Sequence, residues 1–302
     1  MNDQPRRIKR PISGWVVLDK PFNMTSTQAV GKVRWLFGAL KAGHAGTLDP
    51  LATGILPIAL GEATKAVPQV QDGAKVYRFA IKWGTATTTD DAEGTVVATS
   101  DVRPDRAALE AVLPQFTGTI LQRPPIFSAL KVDGERAYDL ARAGEAVELQ
   151  PRQIEVDAIE LLEHGTEQSL LEVTCGKGTY VRAMARDIAE VLGTHGHVSL
   201  LHRAAVGPFH DGDALTIDQL EALPLDERDR LLKPVASGFA DLPEIRLDPQ
   251  QATAVRHGNA VLLTGAGAPV SLEECWVSFR GEVLATGWVE YGQFHCRRVF
   301  NL

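Results

Sequence analysis

Two short stretches of the chain hold residues whose types and spacing could do chemistry. The first is Gly43-His44-Ala45-Gly46-Thr47-Leu48-Asp49-Pro50-Leu51-Ala52-Thr53-Gly54. Pro50 disfavours a helical conformation at Asp49 and pushes it extended. The glycines on either side permit sharp turns and close approach of another molecule. The carboxylate is thus displayed on a constrained loop with apolar residues beside it, although most Asp-Pro pairs are plain Asx turns. The second stretch is Gly176-Lys177-Gly178-Thr179-Tyr180-Val181-Arg182. Arg182 falls in the first turn of a predicted helix, where the helix dipole disfavours a cation. A cation placed there answers to something else, such as a carboxylate, unless it is simply solvated. Tyr180 and Arg182 both lie off the apolar stripe of that helix.

Rival chemistries find little support. Gly176-Lys177 resembles the end of a phosphate-binding loop, but Leu171 stands where its first glycine belongs. There is no HExxH and no G-x-S-x-G. His195 and His197 have no third ligand nearby in sequence, which favours a structural role over a metal site. The cysteines, Cys175, Cys275 and Cys296, are three in number, far apart and without a CxxC, which argues against a disulfide framework and for a reducing compartment. The expected location is therefore the cytoplasm. No apolar run approaches a membrane span, and the basic N-terminus lacks the apolar core of a signal peptide.

At 302 residues with 44% hydrophobic and 23% charged side chains, the chain has room for one large domain and a small one. Its net charge of −7 is unevenly spread. Residues 1–90 carry 12 Lys/Arg against 6 Asp/Glu, a balance of +6 that leaves −13 for the rest. A polyanion responds to the potential within about 8–10 Å rather than to the total, so the acidic sum does not exclude a nucleic-acid partner.

The elements that must position these stretches follow from pattern. Residues 15–19 read as a strand, and Ser26 or Thr27 as the cap of a helix that ends near Phe37 at Gly38. ILPIAL reads as a buried strand, residues 62–70 as a short helix, and KVYRFAIKW (75–83) as a half-buried strand. Pro104 is placed to open a helix running to about Leu113. Residues 123–151 form a long insertion around a short helix at 135–143, a pattern typical of a binding loop. IEVDAIELLE and SLLEVTCG read as paired strands. Val181, Met184, Ala185, Ile188 and Val191 then mark a sheet-packing helix over 179–192. HVSLLHRAAV is the last strand of the main domain. After Leu232 the chain becomes Pro/Gly-punctuated, and short strands at 275–279, 282–289 and 294–299 suggest a small appended β-barrel.

With these residues assembled, the chain resembles the TruB family of tRNA pseudouridine synthases. GHAGTLDPLATGILPIALGEATK is similar to the family's catalytic signature, and KPFNMTS to its KPxGxTS segment. RPPIFSALKVDGERAYDLARAGE resembles its RNA-gripping insertion, PRQIEV follows it, and GTYVRAMARDIAEVLG resembles its Tyr/Arg motif. The order and spacing agree from about Gly14 to Phe209. The resemblance implies an α+β pseudouridine synthase fold: a mixed, largely antiparallel central sheet flanked by helices, with a PUA-like RNA-binding β-barrel at the C-terminus. It divides the chain into a flexible basic tail (1–12), a catalytic domain (13–232), a linker (233–245) and the PUA-like domain (246–302).

The implied activity is isomerisation of uridine 55 in the T loop of tRNA, by base flipping and covalent catalysis. By correspondence of motifs, Asp49 is the nucleophile and Tyr77 the aromatic that stacks on the flipped uracil and acts on its C5 proton. Arg182 pairs with the aspartate, Tyr180 and Leu201 line the pocket, and His44 helps to hold the flipped-out loop nucleotides. Lys20, with Pro21, supports the site. No cofactor and no metal are implied, and the partner is tRNA, bound by a monomer that needs no protein partner. The insertion at 123–151 is expected to become ordered on RNA. Three positions depart from the family pattern: Asn23 stands for a glycine, Ala45 for a threonine and His202 for an arginine. Asn23 implies a left-handed turn that Asn tolerates, and His202 removes one fixed positive charge.

Overall fold

The computed structural model describes residues 9–128, 130–132, 134–136 and 149–302. The expected helix at 135–143 lies outside this set from residue 137 onward. Its first two residues instead form the strand Glu135–Arg136, paired with Lys131–Val132. The expected ordering of the insertion likewise bears on residues outside those described.

The chain separates into two compact units. The first joins residues 1–49, 55–72 and 206–302, and the second joins 50–54 and 73–205. In the first unit the strand Gly14–Lys20 is buried along almost its whole length, as expected of a short apolar run covered on both faces. Trp15, Val17, Ile55, Ala59, Phe209, Val235, Phe239, Trp276 and Phe300 share one core. Trp15 and Phe209 rings lie 5.3 Å apart, and Phe239 packs between Trp276 and Phe300. The Trp15 indole donates to the Val235 carbonyl at 3.2 Å, so the body of the ring is buried with its polar edge satisfied. Within 233–245, Lys233 exchanges two backbone hydrogen bonds with Trp15, while Val235 and Phe239 are core residues. The C-terminal sheet has five strands, with Leu272–Phe279, Glu282–Glu290 and Gln293–Val299 as its antiparallel centre. It encloses a separate small core that includes Leu247, Val255, Val277 and Phe294.

In the second unit the strands Lys75–Trp83, Gln168–Cys175, Arg152–His164 and Gly118–Gln122 run antiparallel in that spatial order. Gly196–Val206 flanks Lys75–Trp83, and its His202–Arg203 pair parallel with Thr53–Gly54. Helix Val181–Val191 buries Val181, Met184, Ala185 and Ile188 as its spacing requires. Val191, the last member of the predicted stripe, is half exposed because the helix ends beside it.

Two helix starts differ by one or two residues from expectation. Thr25, not Ser26 or Thr27, caps helix Ser26–Phe37, in a capping box with Gln28. Asp105 caps helix Arg106–Val112 by accepting from Ala108 N–H, so Pro104 lies outside the helix rather than in its first turn. The segment expected as one helix at 62–70 is a 3-10 turn, Gly61–Lys65, followed by helix Val67–Asp72.

Candidate active site

Asp49 is half-buried and follows a loop that is fixed residue by residue. His44 ends the short strand Ala42–His44, opposite Ile58 of the strand Thr53–Leu60. Ala45 N–H donates to the Pro57 carbonyl at 2.9 Å, and Gly46 turns the chain with φ 95°. Ser26 then holds the peptide before the carboxylate from both sides. Its Oγ accepts from Leu48 N–H at 2.9 Å and donates to Leu48 O at 3.0 Å. Because Thr25 is the cap, Ser26 is left free for this task. The preceding turn is closed by Lys20, which is fully buried and donates to the Pro21 and Met24 carbonyls at 3.0 and 2.7 Å. Asn23 sits in that turn at φ 61°, the left-handed conformation expected of a residue replacing glycine. The KPFNMTS segment is thus the scaffold of the aspartate loop in the first unit.

The other candidate residues belong to the second unit. Tyr77, half-buried, lies on Lys75–Trp83 opposite Val173. Tyr180 is at the N-cap position of helix Val181–Val191, where no side chain of the helix itself caps the end. Gln122 instead holds the backbone of Tyr180 itself. Its amide oxygen accepts from Tyr180 N–H at 2.8 Å and its amide nitrogen donates to Tyr180 O at 3.1 Å. Leu201 is buried on Gly196–Val206, and its neighbour His202 places Nδ1 2.9 Å from Thr53 Oγ1.

Arg182 is 6% exposed despite its charge. Its guanidinium donates to the Thr89 and Phe127 carbonyls, both at 3.0 Å, and lies 3.4 Å from the Asp91 carboxylate, itself nearly buried. Asp91 in turn accepts from Thr89 Oγ1 and from Glu93 N–H. The misplaced cation therefore answers to a carboxylate and two carbonyls. Sequence reasoning missed Asp91, Gln122 and the role of Ser26. The two adjacent acids before Gly94 were the available signal for Asp91, whereas nothing in the local pattern marks Gln122.

One turn further along the helix, Arg186 lies among Asp90, Asp187 and the Arg123 carbonyl. Burial works against the Arg186 charge, but Asp187 and Asp90 outweigh it and hold the guanidinium above its ordinary range. Burial raises the Asp90 and Asp187 carboxyls, and the shared arginine offsets only part of that. Burial also pushes the Cys175 thiol up to about 11, so this cysteine is no thiolate nucleophile at neutral pH. Among the described residues, no three His, Cys, Asp or Glu side chains group so as to hold a metal ion. Among them, too, no helix is long and apolar enough to cross a membrane.

Residues 34–181 match the model for the TruB family pseudouridylate synthase N-terminal domain, and residues 182–240 match that for the tRNA pseudouridylate synthase B C-terminal domain. The chain belongs to the TruB family. It is 50% identical to the tRNA pseudouridine synthase B of Mesorhizobium japonicum over 99% of both chains, and 51% identical to that of Brucella ovis over 97% of both. Its fold is shared by a chain of a Cbf5–Nop10–Gar1 complex, with a TM-score of 0.72 and 26% identity over 95% of this chain and 84% of that one. A chain of an H/ACA RNP bound to a substrate RNA containing 2′-deoxyuridine gives the same TM-score at 22% identity, over 96% and 85%. The α+β pseudouridine synthase fold and the small C-terminal β-domain read from the TruB motifs are those of the molecule. As a TruB member the protein is an isomerase.

Proposed function

We propose that this protein converts uridine 55 in the T loop of tRNA to pseudouridine, with Asp49 as nucleophile. The observation that carries the reading is near full-length similarity, at about half identity, to enzymes named tRNA pseudouridine synthase B. The fixed loop that presents Asp49 supports it.

The reaction breaks the bond between uracil N1 and ribose C1′ and forms one from C5 to C1′. The C5 proton is lost to solvent and N1 regains a proton, so the change is redox-neutral and no heavy atom leaves the substrate. The uridine must first leave its stack, at a cost of about a few kcal/mol, and stacking on Tyr77 offsets part of this. In this reading Asp49 forms the covalent adduct and Tyr77 acts on the C5 proton. Arg182 pairs with the aspartate, Tyr180 and Leu201 line the pocket, His44 steadies the flipped loop, and Lys20 supports the turn behind Asp49. Residues 13–232 are the catalytic domain and 246–302 the RNA-binding domain of a cytoplasmic enzyme that works as a monomer on tRNA.

Tritium release from a tRNA transcript labelled at C5 of its uridines tests the reading. About one tritium per tRNA should be released, and none by Asp49→Asn or from a transcript with the T-loop uridine replaced. Release from another position would overturn the site, and release by Asp49→Asn the nucleophile. Arg182→Met should cut turnover far more than tRNA affinity, and equal losses would sink its role. Release by the protein with no RNA present besides the tRNA is expected, and a requirement for a second RNA would overturn the reading.

A further inference from the structure

We propose that Arg186 and Asp90 are positioning residues for the reaction, acting through Arg182. The inference rests on the role given to Arg182 above. Arg182 and Arg186 stand one turn apart on helix Val181–Val191 and so share a face. Each reaches one of two consecutive acids and one carbonyl of the same loop. Arg182 lies against Asp91 and donates to Phe127 O. Arg186 donates to Asp90 Oδ2 at 3.0 Å and to Arg123 O at 2.8 Å.

Both places that Arg186 grips need outside support. Asp90 holds φ 60°, an uncommon conformation for a residue other than glycine. Its N–H donates to Thr87 O at 3.3 Å and its carbonyl accepts from Val198 N–H at 3.0 Å, while its carboxylate is held by the helix. The stretch 123–127 contains Pro124 and Pro125, which have no N–H to give to a ladder. Donors from the helix to its carbonyls are therefore part of what fixes it. Without Arg186 the Asp90 turn and the Arg123 carbonyl lose that hold. With them shift Asp91, Thr89 O and Phe127 O, acceptors that help to orient the Arg182 guanidinium. The effect belongs on turnover more than on RNA affinity, because a small misorientation near reacting atoms costs rate first.

The test is a double-mutant cycle read by single-turnover tritium release and tRNA affinity. Arg186→Met should lower the rate by about tenfold or more, with tRNA affinity within about threefold. Combined with Arg182→Lys, which keeps the charge but not the geometry, it should add much less than it does alone. Asp90→Asn, which tolerates the left-handed conformation and keeps an acceptor, should recover most of the rate that Asp90→Ala loses. Fully additive losses, or equal losses in Asp90→Asn and Asp90→Ala, overturn the proposal. Hydrogen exchange reads the same claim without turnover: Arg186→Met should speed exchange in both 87–91 and 123–128, and unchanged exchange there overturns it. If the wild-type protein releases no tritium, the functional reading fails while the exchange result still decides this one.

Discussion

A single hydroxyl group holds the peptide that precedes Asp49. Ser26 Oγ satisfies both polar groups of Leu48, and its partner peptide is buried. Removing it leaves a donor and an acceptor unpaired, a cost of about 1–3 kcal/mol. Ser26→Ala is therefore expected to lower thermal stability by that order. It should also slow single-turnover isomerisation more than it weakens tRNA binding. A mutant that loses stability but keeps the wild-type rate would show that the loop does not need this clamp. The serine was visible in the sequence only as a cap candidate, because Ser and Thr cap helices almost equally well and the pattern fixes the start only to within a residue or two. Asp91 and Gln122 were hidden for a different reason. Their partners, Arg182 and Tyr180, are remote in sequence, and no local periodicity encodes such a pairing.

At the scale of elements, the strand Thr53–Leu60 begins where the chain can come closest to its neighbour. Gly54 has φ 96°, and a Cβ there would meet Arg203 O at 2.4 Å. Gly54→Ala should cost about 1–3 kcal/mol for the strained φ alone, and more for the clash with Arg203, read as a shift of the urea midpoint. A neutral outcome would mean that the backbone yields at Arg203. The elements with long, regular patterns were legible: the buried strand at 14–20, the helix at 181–191, and the hairpin of Arg152–His164 with Gln168–Cys175. The helix starts at Thr25 and Asp105 were read one or two residues away, because both positions are flanked by other residues that cap or open helices well. The Gly61–Lys65 turn was merged into a helix because its composition does not distinguish 3-10 from α geometry.

At the scale of the molecule, the first unit depends on pairings across most of the sequence. Lys233 joins Trp15 by two backbone hydrogen bonds and also pairs its ammonium with Asp213 at 2.7 Å. The hydrogen bond from Lys233 holds the Asp213 carboxyl below its ordinary range. A depressed carboxylate contributes stability at neutral pH and loses it as pH falls below about 4 through its folded value. The stability gap between wild type and Lys233→Met should accordingly shrink on acidification, and a gap independent of pH would assign the loss to packing alone. The family signature revealed the site motifs but not this assembly, because Trp15, Val235 and Phe300 meet only through the fold. The same assembly sets an order on biosynthesis. Residues 73–205 leave the ribosome as one block, whereas Trp15 must wait for Val235, Phe239 and Phe300, the last of them almost at the end of the chain. At about 5–20 residues per second, the N-terminal strand spends roughly tens of seconds before that core is complete. During that time the apolar run Gly14–Lys20 presents unburied surface of the kind that chaperones shield.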